Sequence, residues 1–247
     1  MRRRTLALVV LVASGCRTET HPAESAPASA PTPATALPAQ PASGAASGAA
    51  VVAGAPGTWS FDADKPDAPP SGFVFGRTGT GRLGRWVVQS EVDAPSSPNV
   101  LAQLDSDSTD DRFPVAVVDG TSFRDVVLSV RCKPMAGSVD QACGLVLRYR
   151  DENNYYLTRA NALENNVRLY VVEGGHRQQI GSWSGTVAAK QWHEYRFAVR
   201  GSHFEVTWDG RKVLETDDKT FGDAGKVGVW TKADSVTWFD QLEAQAL

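Results

Sequence analysis

"GLVLRYRDENNYYLTRANALENNVRLY", residues 144–170, alternates apolar and polar side chains with a period of two, the signature of half-buried strands. In the first run Leu145, Leu147 and Tyr149 fall on one side, and Val146, Arg148 and Arg150 on the other. The second run sends Tyr156, Thr158 and Ala160 inward, with Tyr155, Leu157, Arg159 and Asn161 outward. In the third, Val167, Leu169 and Val171 face inward, leaving Arg168 and Tyr170 outside. The Asn- and Asp-rich segments 151–154 and 162–166 supply turns. As a three-stranded meander, the stretch predicts one sheet face carrying Arg148, Arg159, Asn161, Arg168 and Tyr170 together. A shift of one residue would invert the whole set.

The pattern extends outward on both sides. "GRWVVQSE", "FRDVVLSVRC", "HEYRFAVRG", "HFEVTWDG", "KVGVWTK" and "SVTWFDQLEA" are short, rich in β-branched and aromatic residues, and bounded by turn formers. No run has helical spacing with caps. The prediction is all-β: a two-sheet antiparallel β-sandwich. Tyr195, Phe197 and Val199 share an inner face with Phe204, Val206 and Trp208, across a hairpin turned by Asp209-Gly210. Pro114 marks an edge strand or an irregular segment. Trp86, Trp192, Trp208 and Trp238 read as core. Trp230 stands beside polar residues, where an indole could stack on a sugar ring; burial against a loop is the alternative.

The ends differ in kind. "MRRRTLALVVLVASGC" has a basic start, an apolar stretch too short to span a bilayer, and small residues before Cys16. It resembles a bacterial lipoprotein signal over residues 1–15, with Cys16 as the lipidated residue; ordinary signal cleavage nearby is the alternative. Residues 16–57, rich in Ala, Pro and Ser, have little to bury and read as a disordered tether. The folded domain is expected over 58–247. A net charge of −3 argues against a nucleic-acid partner. Cys132 and Cys143 flank what reads as a hairpin, and a disulfide between them suits an exported chain.

"GLVLRYRDENNYYLTRANALENNVRLY", "WHEYRFAVRGSHFEVTWDGRKV" and "GKVGVWTKADSVTWFDQLEA" together resemble bacterial concanavalin A-like (laminin-G-like) jelly rolls. Such domains are labelled glycoside hydrolase family 16-like or 3-keto-disaccharide hydrolase-like. The resemblance spans roughly Trp59 to Ala244. It implies two antiparallel sheets, one of them concave, and carbohydrate as the ligand class. The family-16 strand places three carboxylates at Glu-x-Asp-x-x-Glu spacing. Here "EVDAPS" keeps Glu91 and Asp93 but has Ser96 in the third place, behind Pro95. Relatives also bind structural Ca²⁺ near the first and last strands. Asp62, Asp64 and Asp240 are the candidates, with plain turn and strand-end aspartates as the alternative. No cofactor is otherwise required.

The expected function is a lipoprotein of the bacterial cell envelope, facing the periplasm or the exterior and anchored to the membrane by its N-terminal lipid. Its jelly roll binds poly- or oligosaccharide without hydrolysing it, through Arg148, Arg159, Asn161, Arg168, Tyr170 and Trp230. A glycoside hydrolase of the 3-keto-glycoside type, drawing on Glu164, Glu173, Glu205 or Asp234, is a second expectation. A structural or protein-binding envelope module is a third, in which the Arg/Asn row is simply a wet face with Arg–Glu pairs.

Overall fold

The structure, a computed structural model, describes residues 54–247. The signal segment, Cys16 and the tether up to residue 53 lie outside the described residues. Fifteen strands and no helix occur among those described. In chain order they are β1 (Gly57–Trp59), β2 (Phe73–Gly79), β3 (Trp86–Ser90), β4 (Asn99–Gln103), β5 (Arg112–Val118), β6 (Val126–Ala136), β7 (Ala142–Asp151) and β8 (Asn154–Asn161). There follow β9 (Asn166–Glu173), β10 (His176–Ser184), β11 (His193–Arg200), β12 (His203–Trp208), β13 (Arg211–Asp217), β14 (Lys226–Trp230) and β15 (Val236–Ala246).

The strands form two antiparallel sheets in a jelly-roll sandwich. Sheet A runs β13-β12-β11-β6-β15-β4-β3, with β1 paired to β15; sheet B runs β10-β9-β8-β7-β14-β5-β2. The main core lies between them. Phe197, Phe204 and Trp208 from sheet A meet Leu147, Tyr156 and Leu169 from sheet B. The predicted parity holds through β8, β9, β11 and β12. Asp209 and Gly210, at φ 46° and 76°, turn the β12–β13 hairpin, one connection later than expected; Gly201, at φ 59°, turns β11 into β12.

Three expectations need correction. The two cysteines do form a disulfide, with Cα atoms 6.3 Å apart. It does not, however, cross a hairpin. Strand β6 belongs to sheet A and β7 to sheet B, so the bridge staples the two sheets through the core. Strand β5 is no edge: it lies between β2 and β14. Pro114 is tolerated because its carbonyl accepts the Thr231 N–H at 2.9 Å, just past the end of β14. Its missing donor therefore falls where that ladder stops. Finally, only Trp86 and Trp208 belong to the core. Trp192 and Trp238 are half-buried around the Lys133 ammonium, at 5.5 and 5.0 Å from the ring centroids.

The parity of β7 breaks at Arg148, which adopts φ 48° in a bulge against both β8 and β14. A bulge adds one unpaired residue and re-aims the side chains beyond it. Tyr149 is thereby turned to the outer face, to join Val146. Arg148 instead enters the sandwich end, 1% exposed. Its guanidinium donates to the carbonyls of Arg124, Phe221 and Gly201 at 2.9, 2.7 and 2.6 Å, and Asp125 lies 3.5 Å away. It ties loops together and has left the outward row altogether.

Candidate functional site

The outer face of sheet B decides where a ligand could lie. In a flat sheet β10 and β5, five steps apart, would be separated by about 24 Å. Here the Arg177 guanidinium of β10 lies 4.0 Å from the Phe113 ring centroid of β5. Thr78 of β2 and Tyr155 of β8, four steps apart, meet at 2.7 Å between their hydroxyls. Sheet B is therefore curled until its own side chains close the concave face. Phe113, Tyr155, Leu157, Tyr170 and Trp230 fill it as a second apolar cluster.

This placement revises the predicted row. Trp230 is fully buried and stacks on Phe113 at 5.7 Å with an interplanar angle of 9°. It is packing inside the curl, with no face left for a sugar. Arg159 and Asn161 do face outward from β8, as their parity predicts, but they are buried and engaged. Arg159 donates to Asn166 Oδ1 at 2.6 Å and to Glu164 Oε2 at 2.9 Å. Asn161 donates to Asp140 Oδ1 at 2.9 Å. Arg168 is half-buried, 3.3 Å from the same Glu164 oxygen. Tyr170 is 7% exposed, below Arg177. The row is largely an internally compensated network rather than an open groove floor.

Its electrostatics follow from burial. Asp140 is pushed up to about 6 by desolvation, against the pull of Arg159 and Lys232. Burial would also raise Glu164, but hydrogen bonds from Asn166 and Arg159 hold it below the usual range. Of the other proposed carboxylates, Asp234 and Glu205 are engaged elsewhere. Asp234 accepts the N–H groups of Ser138, Val139 and Asp140 at 2.7 to 3.0 Å, forming a nest that fixes the β6–β7 connection. Glu205 lies on β12 in sheet A, with His203 and Glu215; the Lys212 ammonium contacts both glutamates and supplies their counter-charge. Glu173 is exposed at the end of β9. Asp93 pairs with Lys133 at 2.8 Å, and Ser96 belongs to a calcium-candidate cluster instead of a catalytic strand.

In that cluster Asp62 and Asp240 converge on Ser96, whose hydroxyl lies 3.0 Å from an oxygen of each. Asp240 also accepts the N–H groups of Ser96 and Gln241, and Asp62 that of Asn99. Asp64 turns away to Ser71 N at 3.2 Å. Calcium takes six to eight oxygen ligands. It would have to draw these carboxylates from their present donors. We therefore expect the melting temperature to be unmoved by EDTA. A fall of several degrees would assign Asp62 and Asp240 as calcium ligands.

One set of uncommitted polar groups lies at the mouth of the curl. A shallow depression of about 450 Å³ is lined by Gly79, Asp111, Phe113, Asn153, the Gly174-Gly175 turn, His176 and Arg177. Gly174 and Gly175 take φ of 55° and 81°, which turns β9 tightly into β10 and keeps the rim free of side chains. Arg177 is half-buried, and burial lowers its pKa, opposed by Tyr170 and Tyr155. A depression of similar size on sheet A contains Arg131 and Glu194, which pair with each other at 3.7 Å. Sequence reading missed Arg177 and Asn153. Both sit at turns, and only the curl brings them opposite Phe113.

No protein-family model and no curated protein sequence matches the chain. Solved structures do match in fold. A carbohydrate-binding module, CBM66 from Bacillus subtilis, aligns with TM-score 0.54 and 18% identity, over 70% of this chain and 95% of that one. The exoplasmic/lumenal domain of VIP36, in a form bound to Ca²⁺ and mannose, gives TM-score 0.52 and 9% identity, over 72% and 84%. A native glycosidic hydrolase gives TM-score 0.49 and 14% identity, over 79% and 97%. The chain thus has the two-sheet jelly-roll fold found in carbohydrate-binding proteins.

Proposed function

We propose that this protein is an exported lipoprotein of the bacterial cell envelope, tethered through Cys16, whose jelly roll binds poly- or oligosaccharide without hydrolysing it. One observation carries the reading. At the mouth of sheet B, Arg177, Asn153, His176 and Asp111 offer donors and acceptors round a depression, and their side chains are not paired with one another. Saccharides are recognised by such convergent polar groups set beside apolar surface. The fold shared with CBM66 and VIP36 supports the ligand class. The saccharide sits at the rim, because the curl fills the floor.

Hydrolysis needs a carboxylate pair facing one another across a cleft, one to protonate the leaving oxygen and one to act as base or nucleophile. Glu164 holds Arg159 and Asn166 on its Oε2, and Asp234 has both oxygens taken up by the 138–140 backbone. Glu205 projects from the other sheet. The reading is tested by a glycan array followed by calorimetric titration on the full chain. Saturable binding with no release of reducing ends is expected. Turnover of any bound glycan would move the protein to the hydrolase class, and failure to bind any glycan would remove the reading.

A further inference from the structure

We propose that the depression at the mouth of sheet B recognises an acidic saccharide, with the Arg177 guanidinium holding the carboxylate of a uronic acid. This rests on the glycan-binding reading above and narrows its ligand.

The first ground is a contrast among arginines. Arg112, Arg148 and Arg159 are buried, and each has a carboxylate partner: Asp105 at 3.1 Å, Asp125 at 3.5 Å and Glu164 at 2.9 Å. Removing a guanidinium from water is costly unless an anion or good acceptors replace the solvent. Arg177 is half-buried, and among the described residues it forms no ion pair and no side-chain hydrogen bond. Its neighbours are the rings of Phe113 at 4.0 Å and Tyr170 at 5.3 Å. These stabilise its charge through their faces and leave its N–H edge unused.

The second ground is geometry. Packing beside two rings from opposite sides of the curl restrains the guanidinium. A held fork of N–H groups matches the two oxygens of a carboxylate, which a flexible ammonium does not. Little side-chain freedom is then left to lose on binding.

The third ground separates a saccharide from a bare anion. Asp111 lines the same depression, together with the Asn153 amide and the His176 ring. A carboxylate there disfavours doubly charged phosphate more than a singly charged uronate and accepts hydrogen bonds from sugar hydroxyls, and Asn153 both donates and accepts. A ring bearing one carboxylate and several hydroxyls satisfies Arg177 and Asp111 together.

The test is titration of the full chain with polygalacturonate oligomers and with the same oligomers after reduction of their carboxyl groups to alcohols. The acidic form should bind more tightly by about tenfold or more, with affinity falling as salt is added. Arg177→Gln should abolish that difference, and Arg177→Lys should restore only part of it, since charge returns without the fork. Melting curves show whether each variant is folded. If Arg177→Gln does not fold, the acidic-against-reduced comparison on the unaltered chain still decides. Equal affinity for the two forms overturns the proposal, as does a folded Arg177→Gln that keeps full preference. Inorganic phosphate competing as effectively as the oligomer also overturns it, by assigning a simple anion site. Binding of neutral glycans alone overturns the acidic assignment and leaves the glycan reading standing. Loss of both would show as no binding to any glycan.

Discussion

Trp230→Ala is expected to destabilise the domain by about 3–5 kcal/mol, the range for truncating a large buried aromatic. The indole has no exposed surface and stacks on Phe113. It also lies directly over Gly144 of the neighbouring strand, where an added Cβ would come within 2.8 Å of the ring and 3.0 Å of the Trp230 carbonyl oxygen. Gly144→Ala should therefore destabilise as well, because backbone cannot yield as a side chain can. Urea unfolding of both variants measures this. A stacking platform would behave in the opposite way, losing sugar affinity at nearly unchanged stability. An unshifted unfolding midpoint in Trp230→Ala, with binding lost, would return Trp230 to the ligand site.

Reducing the Cys132–Cys143 bridge should lower stability by about 3 kcal/mol on the loop-entropy estimate, with eleven residues of sequence separation. For a domain of this size that corresponds to a fall of roughly 6–12 °C in melting temperature. The bridge joins β6 to β7, strands of different sheets whose registry no backbone ladder sets. The loss should therefore fall on the docking of the sheets. Calorimetric melts with and without reductant give the value. The Cys132→Ala, Cys143→Ala double variant should reproduce it and show no further response to reductant. An unreduced melt identical to the reduced one would mean that the staple contributes nothing.

The strand faces were legible wherever alternation ran undisturbed. Tyr156 and Ala160, Val167 and Leu169, and Phe204 and Val206 all reach the core that their period assigns. Alternation misleads at Arg148, because a bulge costs one residue of phase and leaves no mark in the hydrophobic pattern. The cysteine pairing was legible from count and from the export expected of the N-terminal segment, but its topology was not: a loop that turns between sheets looks the same as one that closes a hairpin. Curvature was the least visible feature. Nothing in the spacing of Phe113 and Arg177 shows that five strand steps are folded back to one contact. Whether Trp230 is platform or packing depends wholly on that closure.

The closure also bears on how these sandwiches behave when crowded. An open sheet ends in unpaired N–H and C=O groups, on which a second chain can dock as an extra strand. Here β10, the last strand of sheet B, carries an irregularity between Gln179 and Gly181 and packs its flank against β13 of sheet A. Strand β13 itself bears Arg211, Lys212, Glu215 and Asp217, a charged border that resists apolar association. The opposite edge of sheet B differs: β2 ends the sheet and exposes Val74 and Phe75. The β10–β13 side of the sandwich is thus a poor template for strand exchange, and docking of a second strand would fall to the β2 edge.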